Sequence, residues 1–251
     1  MPCTKVEDAL DRLVDIPGTV FCCLPIELCA CNSSKLKRIY SLYGDYTVKM
    51  TINRQNSFLL GRYCAHACMN KLRIAEKTIT ASKFGMPIFE SVSGSIAHSN
   101  THAIACLSNS KSIFSVGIDI ENIVSNQDAV RLVNFIFTKV EYNRFWIASQ
   151  YPKKHIFTLI FSLKESIYKA ISGSIKKPIN FKMIEIIEID YINSSAKFLL
   201  HDDYSKASGR MYITNFTVCR ENIACITIGF YKPSNLLNLL NVREIQEWKV
   251  C

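Results

Sequence analysis

The order in which hydrophobic periods follow one another is the strongest constraint this chain places on its own fold. Segments with apolar residues at helical spacing occur in runs, and so do segments with the alternation or apolar density of strands. A helix is expected over residues 4–15, with Thr4 as cap and Glu7 three residues on. Two β-rich stretches follow, 19–25 and 45–51, the second alternating like a half-buried strand. A long helix is expected from 53 to 74, where Leu59, Leu60, Tyr63, Cys64, Ala67, Cys68 and Leu72 keep the helical period. Three short strands are expected at 94–98, 103–107 and 115–121, then helices at 128–136, 139–149 and 155–171. Four β-rich stretches come next, 183–190, 196–200, 210–219 and 223–230, before a polar tail with helical character. Segregated runs of this kind favour α+β over a doubly wound βαβ sheet. Ile104-Ala-Cys-Leu107 and Ile223-Ala-Cys-Ile226 are near copies, which suggests two similar α/β halves, 1–115 and 116–251.

A chain of 251 residues buries enough surface to need no covalent staples. The 11 cysteines are an odd number behind a charged start, so we expect reduced thiols in a cytoplasmic protein without a signal peptide. No apolar run approaches the roughly 20 residues of a membrane span, which leaves peripheral association as the open form of membrane contact. No spaced Cys-x-x-Cys pair, Walker A motif, G-x-G-x-x-G or G-x-S-x-G elbow is present, which disfavours zinc, ATP, NAD and hydrolase readings. The net charge of +9 attracts anionic partners and says nothing about fold.

Chemistry enters with Val116-Gly-Ile-Asp-Ile-Glu121. On a strand, Asp119 and Glu121 project from one face while Ile118 and Ile120 enter the core on the other. Two carboxylates this close repel each other unless a cation joins them, and a hard divalent ion is the natural one. Phe161-Ser-Leu-Lys-Glu-Ser-Ile-Tyr-Lys169 adds Glu165 and Lys169 at i,i+4 on a helix, beside Lys164. The bland readings are two solvated acids and one surface ion pair. Taken together, acids that hold a cation and lysines that hold phosphate oxygens suit a metal-bridged pyrophosphate. Upstream, Arg54 and Arg62 are eight residues apart on the long helix and are expected to share one face.

These two motifs, preceded by Gly94-Ser-Ile-Ala-His98-Ser99, resemble the 4'-phosphopantetheinyl transferases of the surfactin and enterobactin synthase type. The likeness runs from about Arg54 to Lys169. It implies a monomer of two pseudo-symmetric halves with the active site in the cleft between them, the N-terminal half on the 3'-phosphate side of coenzyme A and the C-terminal half carrying metal and catalytic motifs. It implies transfer of the phosphopantetheine arm of coenzyme A to a serine of an apo carrier protein, with release of adenosine 3',5'-bisphosphate. By position, Asp119, Glu121 and Glu165 would hold Mg²⁺, Lys164 and Lys169 would contact phosphate, and His98, Arg54 and Arg62 would lie near the 3'-phosphate. Phe137-Thr-Lys-Val-Glu-Tyr142 matches a family segment that singles out Glu141, so the general base is Glu141 or Glu165.

Two departures bear on coenzyme A binding. Met86-Pro87 stands where many relatives have a basic residue before proline, which leaves Lys83 as the substitute, and Ala97 stands where the family has serine, which leaves Ser95, Ser99 or no hydroxyl. Arg62 with His66 and the Gly94–Ser99 segment tilt the expected pathway toward a siderophore such as enterobactin, or another nonribosomal peptide. The positive surface would recruit an acidic carrier. The alternatives are a Mg²⁺-dependent nuclease and a non-catalytic basic anion-binding module; under the transferase reading no nucleic acid is bound.

Overall fold

A computed structural model describes residues 16–27, 34–75, 78–82, 85–173, 180–201 and 211–231. The helices expected at 4–15 and in the C-terminal tail, and Lys83, lie outside these residues. The described elements are β1 (Thr19–Pro25), α1 (Ser34–Thr47), α2 (Ile52–Lys71), the two-residue β2 (Thr80–Ala81) and β3 (Pro87–Ile88), β4 (Ser93–His98), β5 (His102–Ser108) and β6 (Ile113–Asn122). Then come α3 (Asn126–Ile136), α4 (Lys139–Glu141), which widens into π turns over Tyr142–Ile147, and α5 (Lys153–Ser172). The chain continues through β7 (Ile184–Asp190), β8 (Ser195–Leu200), β9 (Met211–Val218) and β10 (Asn222–Phe230). The fold is α+β, as the segregated periods require.

Two antiparallel sheets carry it, one ordered β1-β5-β4 and the other β6-β10-β9-β8-β7. Strand alternation sorts the core into layers. Ile104 and Cys106 of β5 and Ala97 of β4 face the second sheet, where they meet Val116, Ile118, Ile120, Ala224, Ile226 and Ile228. The opposite face of β5, Ala103, Ala105 and Leu107, packs on Leu60, Cys64 and Cys68 of α2. In the second sheet Ile223 and Cys225 face the other way and pack with Ile156, Ile160, Leu163 and Ile167 of α5. The order is helices, sheet, sheet, helices. The chain passes between the sheets over 109–112, so β6 already starts at Ile113, ahead of the expected boundary at 115.

The repeated tetrapeptide does not mark equivalent positions. Ile104 and Cys106 face the opposing sheet in β5, whereas Ile223 and Cys225 face the helix in β10. The two copies are one residue out of phase, which reverses every side chain.

One expected strand is a helix. Residues 45–51 alternate, yet the buried positions are Ile39, Tyr43 and Thr47, four apart, which places 34–47 on a helix with Tyr46 and Val48 exposed. The alternation belonged to the exposed end of that helix and the turn after it.

Gly117 sets how closely α5 approaches β6. A Cβ there would lie 2.0 Å from the Ser166 carbonyl oxygen and 2.5 Å from the Ala170 amide nitrogen. Only glycine permits this contact between strand and helix backbone, and it brings the helix face carrying Glu165 and Lys169 down beside Asp119. Gly117→Ala is expected to cost at least about 1–3 kcal/mol, measured by denaturant unfolding, and to lower activity further in the folded fraction. A variant as stable as the parent would show that the helix can lift without penalty.

Candidate active site

Asp119 is 3% exposed, on the face of β6 turned toward α5. Its Oδ1 accepts from Lys169 Nζ at 2.6 Å, and the same ammonium donates to the Ile118 carbonyl at 3.2 Å. Glu165 Oε2 lies 4.0 Å from Lys169 Nζ, on the same helix face. Glu121 is half-buried two residues along the strand. Asp119 and Glu165 thus share one ammonium with Glu121 close enough to feel it, and the electrostatics show the imbalance. Burial first, then the Asp119 charge, pushes the Glu121 carboxyl up to about 8 against the pull of Lys169. Burial also raises Glu165, with Lys169 opposing and Asp119 adding to the rise. Burial lowers Lys169, but Asp119, Glu165 and Glu121 outweigh it, so its ammonium is held above the ordinary lysine value. Asp119 Oδ2 is buried and accepts no hydrogen bond from protein.

The first sheet supplies a second group. His98 ends β4 on the face turned toward α2, in phase with Ile96, which touches Gly61. Arg54, in the first turn of α2, donates to His98 Nε2. Burial, then Arg54 and Lys169, lower His98 to about 4, so the ring is neutral at pH 7 and can accept that bond. Lys169 and Asp119 lie near enough to act on the His98 ring, the first lowering and the second raising it. Of the expected site residues, Asp119, Glu121, Glu165, Lys169, His98 and Arg54 come together.

Three expected residues do not join them. Arg62 is 5% exposed, with its guanidinium 4.6 Å from the Phe58 ring centroid and 5.7 Å from that of Tyr43. Eight residues leave two helix side chains about 80° apart around the axis, so Arg62 turns into the column Phe58-Arg62-His66 while Arg54 faces out. His66 Nε2 meets Tyr43 Oη at 2.9 Å in that column. Lys164 is 0% exposed, and its ammonium donates to the Ile136 carbonyl at 2.8 Å, the Phe181 carbonyl at 3.0 Å and Glu141 Oε2 at 2.6 Å. With all three donors engaged, it cannot serve phosphate. Glu141 is equally enclosed: Oε2 also accepts from the Thr138 amide at 2.7 Å and Oε1 from the Ile186 amide at 2.7 Å. That excludes it as the base and makes it the reciprocal cap of α4. The hydroxyl question resolves too. Ser95 pairs with Cys106 on the inter-sheet face, and Ser99 is tied to Asn222, so neither is open to a phosphate.

Two family models match the stretches that carry these groups. The model of the 4'-phosphopantetheinyl transferase N-terminal domain matches residues 45–108, and that of the 4'-phosphopantetheinyl transferase superfamily matches residues 115–223. The chain belongs to this superfamily. Arg54 and His98 fall in the first matched stretch of the transferase fold, and Asp119, Glu121, Glu165 and Lys169 in the second. Enterobactin synthase component D of Salmonella typhimurium is 40% identical over 85 residues, 34% of this chain and 34% of that protein. The Salmonella typhi protein of the same name is 39% identical over the same length. The chain therefore matches about a third of these relatives' length. Among solved structures, holo-[acyl-carrier-protein] synthase of Thermotoga maritima aligns at 19% identity and TM-score 0.38, over 48% of this chain and 65% of that one. The Bacillus anthracis synthase, solved in complex with CoA (3',5'-ADP), aligns at 17% and 0.37, over 48% of this chain and 99% of that one. Likeness at that level says nothing about the site.

Among the described residues no three His, Cys or carboxylate side chains already converge as a metal cage. No described helix is long and apolar enough to cross a membrane, and Cys22, Cys64, Cys68, Cys106 and Cys225 are thiols.

Proposed function

We propose that this transferase moves the phosphopantetheine group of coenzyme A to a serine hydroxyl of an apo carrier protein, with Mg²⁺ held by Asp119, Glu121 and Glu165. The observation that carries the reading is the Lys169 ammonium held by Asp119 and 4.0 Å from Glu165, with Asp119 Oδ2 buried and unpartnered and Glu121 two residues along the strand, beside the Arg54–His98 pair of the other sheet. That donor set is oxygen only and its like charges are unbalanced, which suits a hard divalent ion. When bound, the ion would neutralise pyrophosphate charge.

The chain's own groups account for the rest. Arg54 presents the exposed positive charge for a phosphate of the leaving nucleotide, and His98 orients it. Lys169 holds Asp119 in place through the 2.6 Å contact and keeps its own charge at the seam. The serine oxygen attacks the phosphorus bearing the pantetheine arm, and the bond to adenosine 3',5'-bisphosphate breaks. The serine proton passes to Glu165, the carboxylate that α5 brings to the cluster. The partial likeness to enterobactin synthase component D supports a carrier of a siderophore or other nonribosomal peptide assembly line.

Intact mass of an apo carrier after incubation with this protein, coenzyme A and Mg²⁺ tests the reading. One added phosphopantetheine, lost on chelation, is expected. Cleavage of DNA instead would favour the nuclease, and coenzyme A binding without transfer would favour the binding module.

A second expectation concerns pH. With its carboxyl at about 8, Glu121 carries a proton at pH 7 in the metal-free protein. A raised native pKa stabilises the fold fully below the unfolded value and loses that contribution as pH rises toward 8. Mg²⁺ must displace the proton, so its affinity is expected to climb between pH 6 and 8, by up to about tenfold per unit. Calorimetry in buffers of different ionisation enthalpy reads the released proton directly. A pH-independent affinity would remove Glu121 from the ligand set.

A further inference from the structure

We infer that Asn122 and Asn222 form a joint that sets the spacing between the Arg54–His98 pair of one sheet and the carboxylate–lysine cluster of the other, acting as positioning residues for coenzyme A. This rests on the phosphopantetheinyl-transfer reading above.

The joint lies where the two groups come closest along the chain. The turn Ser99-Asn100-Thr101 starts one residue after His98, and Asn122 follows Glu121. Asn122 and Asn222 are directly opposed partners at the ends of β6 and β10. The Asn100 amide donates to Asn122 Oδ1 at 2.9 Å, which settles the orientation of that side-chain amide. Its Nδ2 then donates to Thr101 Oγ1 and to Asn222 Oδ1, each at 3.1 Å. Asn222 Oδ1 also accepts from Thr101 Oγ1 at 3.1 Å and from Ser99 Oγ at 3.4 Å. Every polar atom of the Asn122 side chain is thus used, and one oxygen of Asn222, 5% exposed, gathers donors from both sheets.

A network this closely shared has one satisfied arrangement, because any slip of the turn takes donors away from the buried Asn222 oxygen and leaves the buried Ser99 hydroxyl without it. The core between the sheets is otherwise mainly apolar, and apolar contacts resist separation but tolerate sliding. The joint therefore fixes the register of the two sheets at the place where register decides whether His98 and Glu121 can serve one molecule. A ligand held by both sheets feels that register. One held by the second sheet alone does not.

The test uses two side chains at one position. Asn222→Leu keeps the volume and removes the acceptor, and it is expected to raise KM for coenzyme A on the order of tenfold, with KM for the apo carrier unchanged. Asn222→Asp keeps an acceptor for the same donors and is expected to bring the coenzyme A KM back to within about threefold of the parent. Thr101→Val, at a partly exposed position, is a gentler break should Asn222→Leu fold poorly, and it is expected to shift the same constant about threefold. Calorimetric titration of coenzyme A onto the same proteins reads affinity without turnover. Amide exchange across 99–103 is expected to quicken in Asn222→Leu and in Thr101→Val. An active parent with unchanged coenzyme A KM in Thr101→Val and Asn222→Leu would overturn the joint alone, as would equal impairment by Leu and Asp. A parent that binds coenzyme A but modifies no carrier would overturn the transfer reading, while the titrations still decide the joint. A parent that does not bind coenzyme A overturns both.

Discussion

Asp119→Ala is expected to abolish carrier modification, with a loss on the order of a thousandfold in kcat/KM or more. Two effects combine. The substitution removes the carboxylate whose second oxygen is buried without a partner, the strongest indication of where a cation would sit. It also strips Lys169 of its 2.6 Å partner and leaves that ammonium with Glu165 at 4.0 Å and one backbone carbonyl. Because a void beside α5 could lower activity through the fold, Asp119→Asn is the informative companion. It keeps shape and removes charge. Thermal melts should show the Asn variant folded, and time-resolved intact mass of the carrier should show it nearly as inactive as the Ala variant. A folded Asn variant that keeps more than a tenth of the parent rate would take Asp119 out of the metal set.

Lys164→Met is expected to produce the largest loss of stability in the C-terminal half, about 3–5 kcal/mol, a fall of roughly 6–20 °C in Tm at this chain length. Lys164 and Glu141 are both 0% exposed and 2.6 Å apart. Burial pushes the carboxyl up and the ammonium down, and the chief opposing influence on each is the other. Replacing one leaves the other uncompensated and frees two carbonyls, those of Ile136 and Phe181. The same variant separates the two roles that Lys164 can be given. If it touches phosphate, Lys164→Met melts like the parent and binds coenzyme A weakly. If it is structural, the variant melts early and the folded fraction turns over at the parent rate. Differential scanning calorimetry beside carrier modification at low temperature distinguishes these outcomes.

The contrast between Lys164 and Lys169 shows where reading residues stops being sufficient. Both flank Glu165 in one helix, Lys169 four residues on and sharing its face, Lys164 next to it and about 100° around the axis. Which lysine faces the seam and which faces the interior depends on the side of α5 that lies against β6, and Gly117 decides that through a contact between elements about 50 residues apart. Glu141 differs, because its structural role was legible. Thr138-Lys-Val-Glu141 is the spacing of a reciprocal N-terminal cap, a local arrangement that depends on no distant partner. Arg62 was misplaced by treating eight residues as whole turns, an error a helical projection removes. Asn122 and Asn222 carried no signal. They are two asparagines exactly 100 positions apart, and their meaning lies in the pairing of β6 with β10.

Sequence alone determined what is local or periodic. It determined the α+β class, the alternation that sends Asp119 and Glu121 to one face and Ile118 and Ile120 to the other, and the helical stripe that leaves Glu165 and Lys169 together. Period and residue chemistry act within a few residues, so they survive without a fold. Tertiary structure decided which charges are consumed. It buried Lys164 against Glu141, caged Arg62 between aromatic rings, left Asp119 Oδ2 without a partner, and set Arg54 and His98 across from the carboxylates. Burial and charge compensation depend on what other elements bring within a few ångströms, and only the folded chain supplies those neighbours.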